Sequence, residues 1–83
     1  MTERIEDRIR RMMVTRLFMR LAPEDIEENV SLLDSYGVDS ISLLELVVGI
    51  EEEFGLAIGD DEFDVKNFET VAALAAFIRS KAA

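Results

Sequence analysis

The sequence predicts an all-α protein, a small four-helix bundle with a short third helix and a long loop between helices 1 and 2. Two observations support this prediction. Apolar residues recur at helical spacing in three separate segments, and no segment shows the alternation of apolar and polar residues that is typical of a half-buried strand. About half of the 83 residues are apolar, which suffices for one core, so we expect a single domain over residues 1–83.

The first helix is predicted from one apolar face. The apolar residues follow i, i+4, i+7, i+8 and i+12, and they are Ile5, Ile9, Met12, Met13 and Leu17. Because proline disfavours helical geometry in the residue before it, we expect this helix to end at Ala22-Pro23. The arginines between the apolar positions are expected to form its solvated face. Residues 22–39 contain too many helix breakers for a second long helix and are predicted to be a loop.

The second helix is predicted from Ser40 to Phe54, with Asp39 as its N-cap and Gly55 as its stop. It carries two apolar stripes on nearly opposite sides. The stripe expected in the core consists of Leu43, Leu46, Val47, Ile50 and Phe54. The second stripe, with its flanking acids, consists of Ile41, Leu44, Val48, Glu45 and Glu52. Because a surface helix needs only one apolar face, we interpret these five residues as a docking surface for partner proteins.

The last helix is predicted to begin after Thr70, with Val71, Leu74 and Ile78 in the core. The preceding residues 60–68 combine acids with aromatic residues and are expected to form a short helix or turns. The acids lack the ligand spacing and central glycine of a calcium loop, so we predict no metal site.

Charge and composition exclude several classes of function. The chain has neither histidine nor cysteine, so Ser40 lacks the usual base of a serine nucleophile, and thiol chemistry is excluded; we predict that the protein is not an enzyme. The net charge of −9 disfavours nucleic acid as a partner. No apolar run approaches the ~20 residues that span a bilayer, and no signal peptide is evident, so we expect a cytoplasmic monomer without stable membrane insertion.

Several motifs together resemble the acyl carrier proteins, over roughly residues 23–80. They are residues 34–41 (DSYGVDSI), residues 44–47 (LELV), residues 51–54 (EEEF) and the segment from Thr70-Val71 to Ile78. The resemblance implies that Ser40 receives 4′-phosphopantetheine from coenzyme A through a phosphopantetheinyl transferase, with Asp39 aiding the modification. It also implies that acyl groups are carried as thioesters on this arm. The implied partners are acyl-activating, condensing and acyl-transfer enzymes with basic docking surfaces.

A second serine competes with Ser40 for this role. Residues 33–37 (LDSYG) resemble the attachment site of D-alanyl carrier proteins, which would place the arm on Ser35. In such relatives the attachment aspartate lies about fifteen residues before the phenylalanine that closes the helix. Asp39 has this spacing to Phe54, whereas Asp34 lies five residues too far, so we favour Ser40.

The sequence leaves open which group the carrier would bear. The resemblance implies delivery of acyl groups to enzymes of fatty-acid, polyketide or lipid biosynthesis. The first helix is longer and more basic, and residues 62–68 are more aromatic, than in housekeeping fatty-acid carriers, which suggests a specialised carrier for a polyketide, lipid or other secondary pathway. An aminoacyl or D-alanyl-type carrier is one alternative. A cofactor-free acidic helical interaction module is another, and an assay for phosphopantetheine attachment distinguishes it from a carrier.

Overall fold

The computed structural model describes residues 3–82, with the backbone alone for Asp60, Val65 and Ala82. The four α-helices are α1 (Ile5–Arg16), α2 (Leu32–Ser35), α3 (Ser40–Phe54) and α4 (Val71–Ala82), and short 3-10 helices occur at Pro23–Asp25, Asp60–Glu62 and Val65–Phe68. Residues 3–82 contain no strand, so the predicted all-α class is confirmed.

The core lies where α1 packs against both α3 and α4. Each long helix contributes the residues of one face, and the connecting segments add several apolar side chains that fold under the bundle. The fully buried residues with the largest side chains are Ile9, Met13, Ile26, Leu32, Leu46, Ile50, Phe68, Val71, Leu74 and Ile78. Two residues predicted in the core, Val47 and Phe54, are half-buried and pack against its margin.

The first helix ends earlier than predicted. It stops at Arg16 rather than at Ala22-Pro23, because Phe18 adopts a left-handed conformation (φ 51°) that no α-helix can continue through. The Met19 N–H donates to the Val14 carbonyl oxygen (3.2 Å), which is the bond of a Schellman ending. This position usually holds glycine, so the sequence carries no sign of the stop. Pro23 instead begins the first 3-10 helix.

The expectation that the α1 arginines form its solvated face holds for Arg4 and Arg11, which are exposed, but not for the arginines that pack against other elements. Arg8 donates from Nε to a Glu53 carboxylate oxygen (3.0 Å), which ties α1 to α3. Arg10 donates to the Asp7 carboxylate (2.7 Å) and to the Ile26 carbonyl oxygen (2.8 Å), and its side chain is only 11% exposed. The basic helix thus neutralises acids of the same molecule.

The predicted long loop contains two short elements that sequence patterning did not indicate, the 3-10 helix Pro23–Asp25 and the helix α2. Ser31 caps the single turn of α2, since its Oγ accepts from the Asp34 N–H (3.3 Å). The predicted short third helix is the 3-10 helix Val65–Phe68. Thr70 caps α4 as predicted, because its Oγ1 accepts from the Ala73 N–H (3.0 Å). Within the described residues, no helix combines the length and the apolar character needed to cross a membrane.

Candidate functional site

Ser40 is the first residue of α3, and its side chain is exposed. The helix begins there because Asp39 is extended (φ −101°, ψ −174°) and its carboxylate Oδ1 accepts from the Ser42 N–H at 2.8 Å. The Asp39 carbonyl oxygen accepts from the Leu43 N–H, also at 2.8 Å. The predicted bounds of this helix and its predicted cap are confirmed.

The pKa of the Asp39 carboxyl lies below the ordinary value of an aspartate. The hydrogen bond from the Ser42 backbone is the largest cause that lowers its pKa, and the Ser42 side chain lowers it further. A hydrogen bond that stabilises the charged carboxylate favours that form over the neutral acid. The Ser40 hydroxyl therefore stands beside a fixed negative charge and at the positive end of a fifteen-residue helix.

Ser35 occupies a different place, although it is also exposed. It is the last residue of α2, and its N–H donates to the Ser31 carbonyl oxygen (3.0 Å). The chain then turns at Gly37, whose φ is +67°, before α3 begins. Ser35 thus lies outside the start of the long helix.

The three apolar residues predicted on the outer side of α3 are exposed. Ile41 is 76% exposed, Leu44 61% and Val48 41%. They follow Ser40 along one side of the helix at spacings of three and four residues, which brings their side chains into one row. The structure therefore leaves an uncovered apolar stripe that begins next to the exposed serine.

The two acids of the predicted docking surface are held by Arg16, a residue that sequence reasoning did not single out. Arg16 Nη1 donates to Glu45 Oε1 (2.9 Å), and its Nη2 donates to Glu52 Oε1. These bonds, to Glu45 first and also to Glu52, raise the pKa of Arg16. Glu45 and Glu52 thus form intramolecular ion pairs with Arg16 while lying on the outer face of α3.

Gly49 makes this arrangement possible. It lies on α3 between the two acids and is buried. A Cβ at this position would come within 2.5 Å of Met12 Sδ and 2.6 Å of Arg16 Cδ, so only a glycine leaves room for both side chains where they stand. The helix-propensity cost of glycine, about 1 kcal/mol relative to alanine, is offset by this close approach of α1 to α3.

The neighbouring acids are also engaged. Glu51 Oε2 accepts from the Ile58 N–H (2.8 Å), and Glu53 binds Arg8 through its carboxylate and its carbonyl oxygen. Each of these glutamates therefore has a bonding role within the molecule. Among the residues that the structure describes, no group of three or more acids is arranged to hold a metal ion.

A shallow groove of about 470 Å³ lies beside the start of α3. The end of α1 forms one wall, and Ile41, Ser42 and Glu45 form the other. Phe18, held in its left-handed conformation, projects there with 87% of its surface exposed.

Comparison with protein families gives one match over most of the chain. The family model described as "Phosphopantetheine attachment site" matches residues 7–78. The acyl carrier protein of Renibacterium salmoninarum is 45% identical over 60 residues, which cover 72% of this chain and 72% of that protein. The acyl carrier protein of Zymomonas mobilis is 41% identical over 58 residues, covering 70% and 72%.

Solved structures with the same fold include two carrier proteins. The solution structure of a holo acyl carrier protein from Nitrosomonas europaea superposes with a TM-score of 0.83 at 23% identity, covering 96% of this chain and 98% of that one. A second match comes from the crystal structure of an engineered Bradyrhizobium japonicum glycine:[carrier protein] ligase complexed with a carrier protein from Agrobacterium tumefaciens and AMP. Its TM-score is 0.78 at 22% identity, covering 89% of this chain and 97% of that one.

Proposed function

The chain belongs to the acyl carrier protein family, and on that premise we propose that Ser40 is the residue that bears its phosphopantetheine group. Members of this family carry acyl groups on a covalently bound phosphopantetheine, and the protein is such a carrier. The observation that supports Ser40 is its position as the exposed first residue of the capped fifteen-residue helix α3.

The residues around Ser40 fit a phosphodiester. An anion at a helix N-terminus is favoured by amide hydrogens that lack intrahelical partners and by the helix dipole, and Ser40 lies at that end of α3. The Asp39 carboxylate already accepts from the Ser42 N–H, so a phosphodiester on Ser40 would face the other amides of the first turn. The bound group supplies a terminal thiol, which this cysteine-free chain lacks. Asp39 holds the first turn in place, and we assign it the further role of engaging the transferase.

The docking surface of α3 is the proposed site for partner enzymes. Ile41, Leu44 and Val48 would fill an apolar depression on the partner, while Glu45 and Glu52 would meet basic side chains. The partners we propose are the phosphopantetheinyl transferase and enzymes that activate, condense or transfer acyl groups.

We further propose that the chain forms one carrier domain without catalytic activity of its own and works as a monomer in the cytoplasm. The single core shared by α1, α3 and α4 supports the one-domain assignment. Fatty-acid, polyketide and lipid biosynthesis are the pathways that we propose for its cargo. Light scattering on the purified protein tests the monomer.

Intact-mass spectrometry after incubation with coenzyme A and a broad-specificity phosphopantetheinyl transferase tests the attachment site. We expect wild type and Ser35→Ala to gain one phosphopantetheinyl group and Ser40→Ala to gain none. Modification of Ser40→Ala with loss in Ser35→Ala would assign the arm to Ser35 instead. Failure of the wild-type chain to gain mass with any transferase would support a cofactor-free interaction module.

A further inference from the structure

We propose that Arg16 is a specificity-determining residue of the docking surface, and that a partner gains full use of Glu45 and Glu52 only by displacing its guanidinium. This inference rests on the proposed function, because it concerns how partners engage the surface beside Ser40. The partner that fits is an enzyme with arginine or lysine side chains around an apolar depression, since the surface combines carboxylates with an uncovered apolar stripe.

The Arg16 guanidinium is shared between the two carboxylates. Its Nη1 lies 2.9 Å from Glu45 Oε1 and its Nη2 contacts Glu52 Oε1, so one planar group bridges two acids seven residues apart on α3. The Arg16 side chain is 28% exposed, whereas those of Glu45 and Glu52 are 46% and 63% exposed. A basic side chain of a partner therefore reaches these carboxylates from solvent, but it meets acids that are already partly neutralised.

The position of Arg16 is fixed by packing rather than by charge alone. Its aliphatic stem lies over Gly49, where an added Cβ would approach Cδ to 2.6 Å. The stem is thereby placed between the two acids, at the last residue of α1. In this position the guanidinium lies beside both carboxylates of the docking surface.

The bridge is weak enough for a partner to replace. Ion pairs between partly exposed groups contribute little net free energy, because water solvates the separated charges well. Competition with Arg16 is therefore expected to reduce association with a basic partner by roughly threefold to tenfold. A partner that also buries Ile41, Leu44 and Val48 overcomes this factor, whereas one that relies on charge alone is disfavoured.

The test compares Arg16→Gln with Arg11→Gln. Arg11 pairs with Glu3 (2.7 Å) instead of the two acids of the docking surface, and its replacement removes the same single positive charge. The apo protein is treated with coenzyme A and a transferase that has a basic docking surface, and the second-order rate constant of modification is measured at several ionic strengths. We expect Arg16→Gln to raise this constant threefold to tenfold at low salt with a steeper salt dependence, and Arg11→Gln to raise it less than twofold.

A double-mutant cycle shows whether the acids are the cause. Glu45→Gln should lower the rate constant only slightly when Arg16 is present, and several-fold in the Arg16→Gln background, where the carboxylate is free to meet the partner. Equal effects of the two arginine variants, or an effect of Glu45→Gln that is the same in both backgrounds, would overturn the proposal. If the chain is not a carrier, no variant gains mass at all, which is a different result.

A second pair of variants controls for the possibility that Arg16→Gln disturbs the fold. Arg16→Lys keeps a long stem over Gly49, but a single ammonium cannot reproduce the two-pronged bridge. We expect it to raise the rate constant above wild type, while the matched Arg11→Lys leaves it unchanged. A rate constant for Arg16→Lys equal to that of Arg11→Lys would contradict the role of the bridge.

Discussion

The chain contains two Asp-Ser pairs, five residues apart, and they occupy opposite ends of helices. Asp34-Ser35 closes the single turn of α2, whereas Asp39-Ser40 opens the fifteen-residue α3. Partial negative charge accumulates at the end of a helix and partial positive charge at its start. The same dipeptide therefore presents its hydroxyl in two electrostatic settings, and only the second setting favours a phosphodiester.

The aspartates of the two pairs differ in the same way. Asp39 caps α3 with its carboxylate, whereas Asp34 supplies a backbone N–H to the cap of its own helix, Ser31. Gly37 separates the two pairs with a left-handed turn. The surroundings of an Asp-Ser pair therefore depend on where the pair lies relative to the start of a helix, and variants of the two pairs can test this difference.

The largest effect is expected from Gly37→Val. A β-branched residue at φ +67° is strained by the left-handed backbone itself, because nothing lies within 4 Å of the added Cβ. We expect a loss of about 2 kcal/mol in the free energy of unfolding and a melting temperature lower by roughly 10 °C. Thermal unfolding followed by circular dichroism measures it. Gly37→Asn should lose much less, since asparagine tolerates this conformation, and an equal loss would show that the strain is not conformational.

A smaller effect separates the two aspartates. Asp39→Ala removes the N-cap of α3 and should lower the melting temperature by a few degrees, as loss of one helix cap typically does. Asp34→Ala removes no cap and should leave the melting temperature within experimental error of wild type. Differential scanning calorimetry of the two variants makes the comparison, and similar shifts for both would mean that the two pairs are structurally equivalent.

Much of the region around Ser40 could be predicted from the sequence because its determinants are local. The cap Asp39, the stop Gly55 and the stripes of α3 lie within one continuous segment, so periodicity and capping chemistry suffice. The resemblance to carrier proteins, confirmed by the comparisons, rests on this segment together with residues 34–38 and 70–78. The single turn of α2 is too short to show periodicity, although its cap Ser31 is visible in the sequence.

Other features depend on contacts that no local pattern reveals. The Arg16 bridge joins residues 29 and 36 positions apart, and it lies where the Arg16 side chain passes close over Gly49. The end of α1 depends on Phe18 in a conformation that phenylalanine rarely adopts. The exposed apolar stripe was predictable from the sequence, whereas the ion pairs of its flanking acids, Glu45 and Glu52, with Arg16 were not.

The pH dependence of stability should distinguish Asp39 from an uncapped aspartate. Its pKa is lowered in the folded protein by the hydrogen bond from the Ser42 backbone. A depressed folded pKa gives stability that is fully present above the unfolded pKa, near 3.8, and is lost as the pH falls through the folded pKa. The stability difference between wild type and Asp39→Asn should therefore shrink as the pH falls below the unfolded pKa and through the lower folded pKa.

Urea denaturation at each pH measures this difference. Glu6 and Glu62 also have lowered pKa values, chiefly through hydrogen bonds from Arg79 and Lys81, so wild-type stability alone would mix several titrations. The free energy of unfolding of Asp39→Asn is subtracted from that of wild type at each pH. The difference reports the Asp39 carboxylate alone, because the other groups titrate in both proteins. A difference that stays constant over this range would contradict the assignment.

The smallest effect is expected at Ser31, the cap of α2. Its hydrogen bond to the Asp34 N–H is long, at 3.3 Å, and the helix that it caps has a single turn. Ser31→Ala should therefore cost less than about 0.5 kcal/mol, below the ~1 kcal/mol typical of a cap. Thr70→Ala is the matched control: Thr70 caps the twelve-residue α4 at 3.0 Å, and its loss should cost about 1 kcal/mol. Chemical denaturation measures the loss of unfolding free energy in the two variants. A loss at Ser31 as large as that at Thr70 would show that α2 stabilises the fold as much as a long helix does. That result would weaken the distinction between the two Asp-Ser pairs.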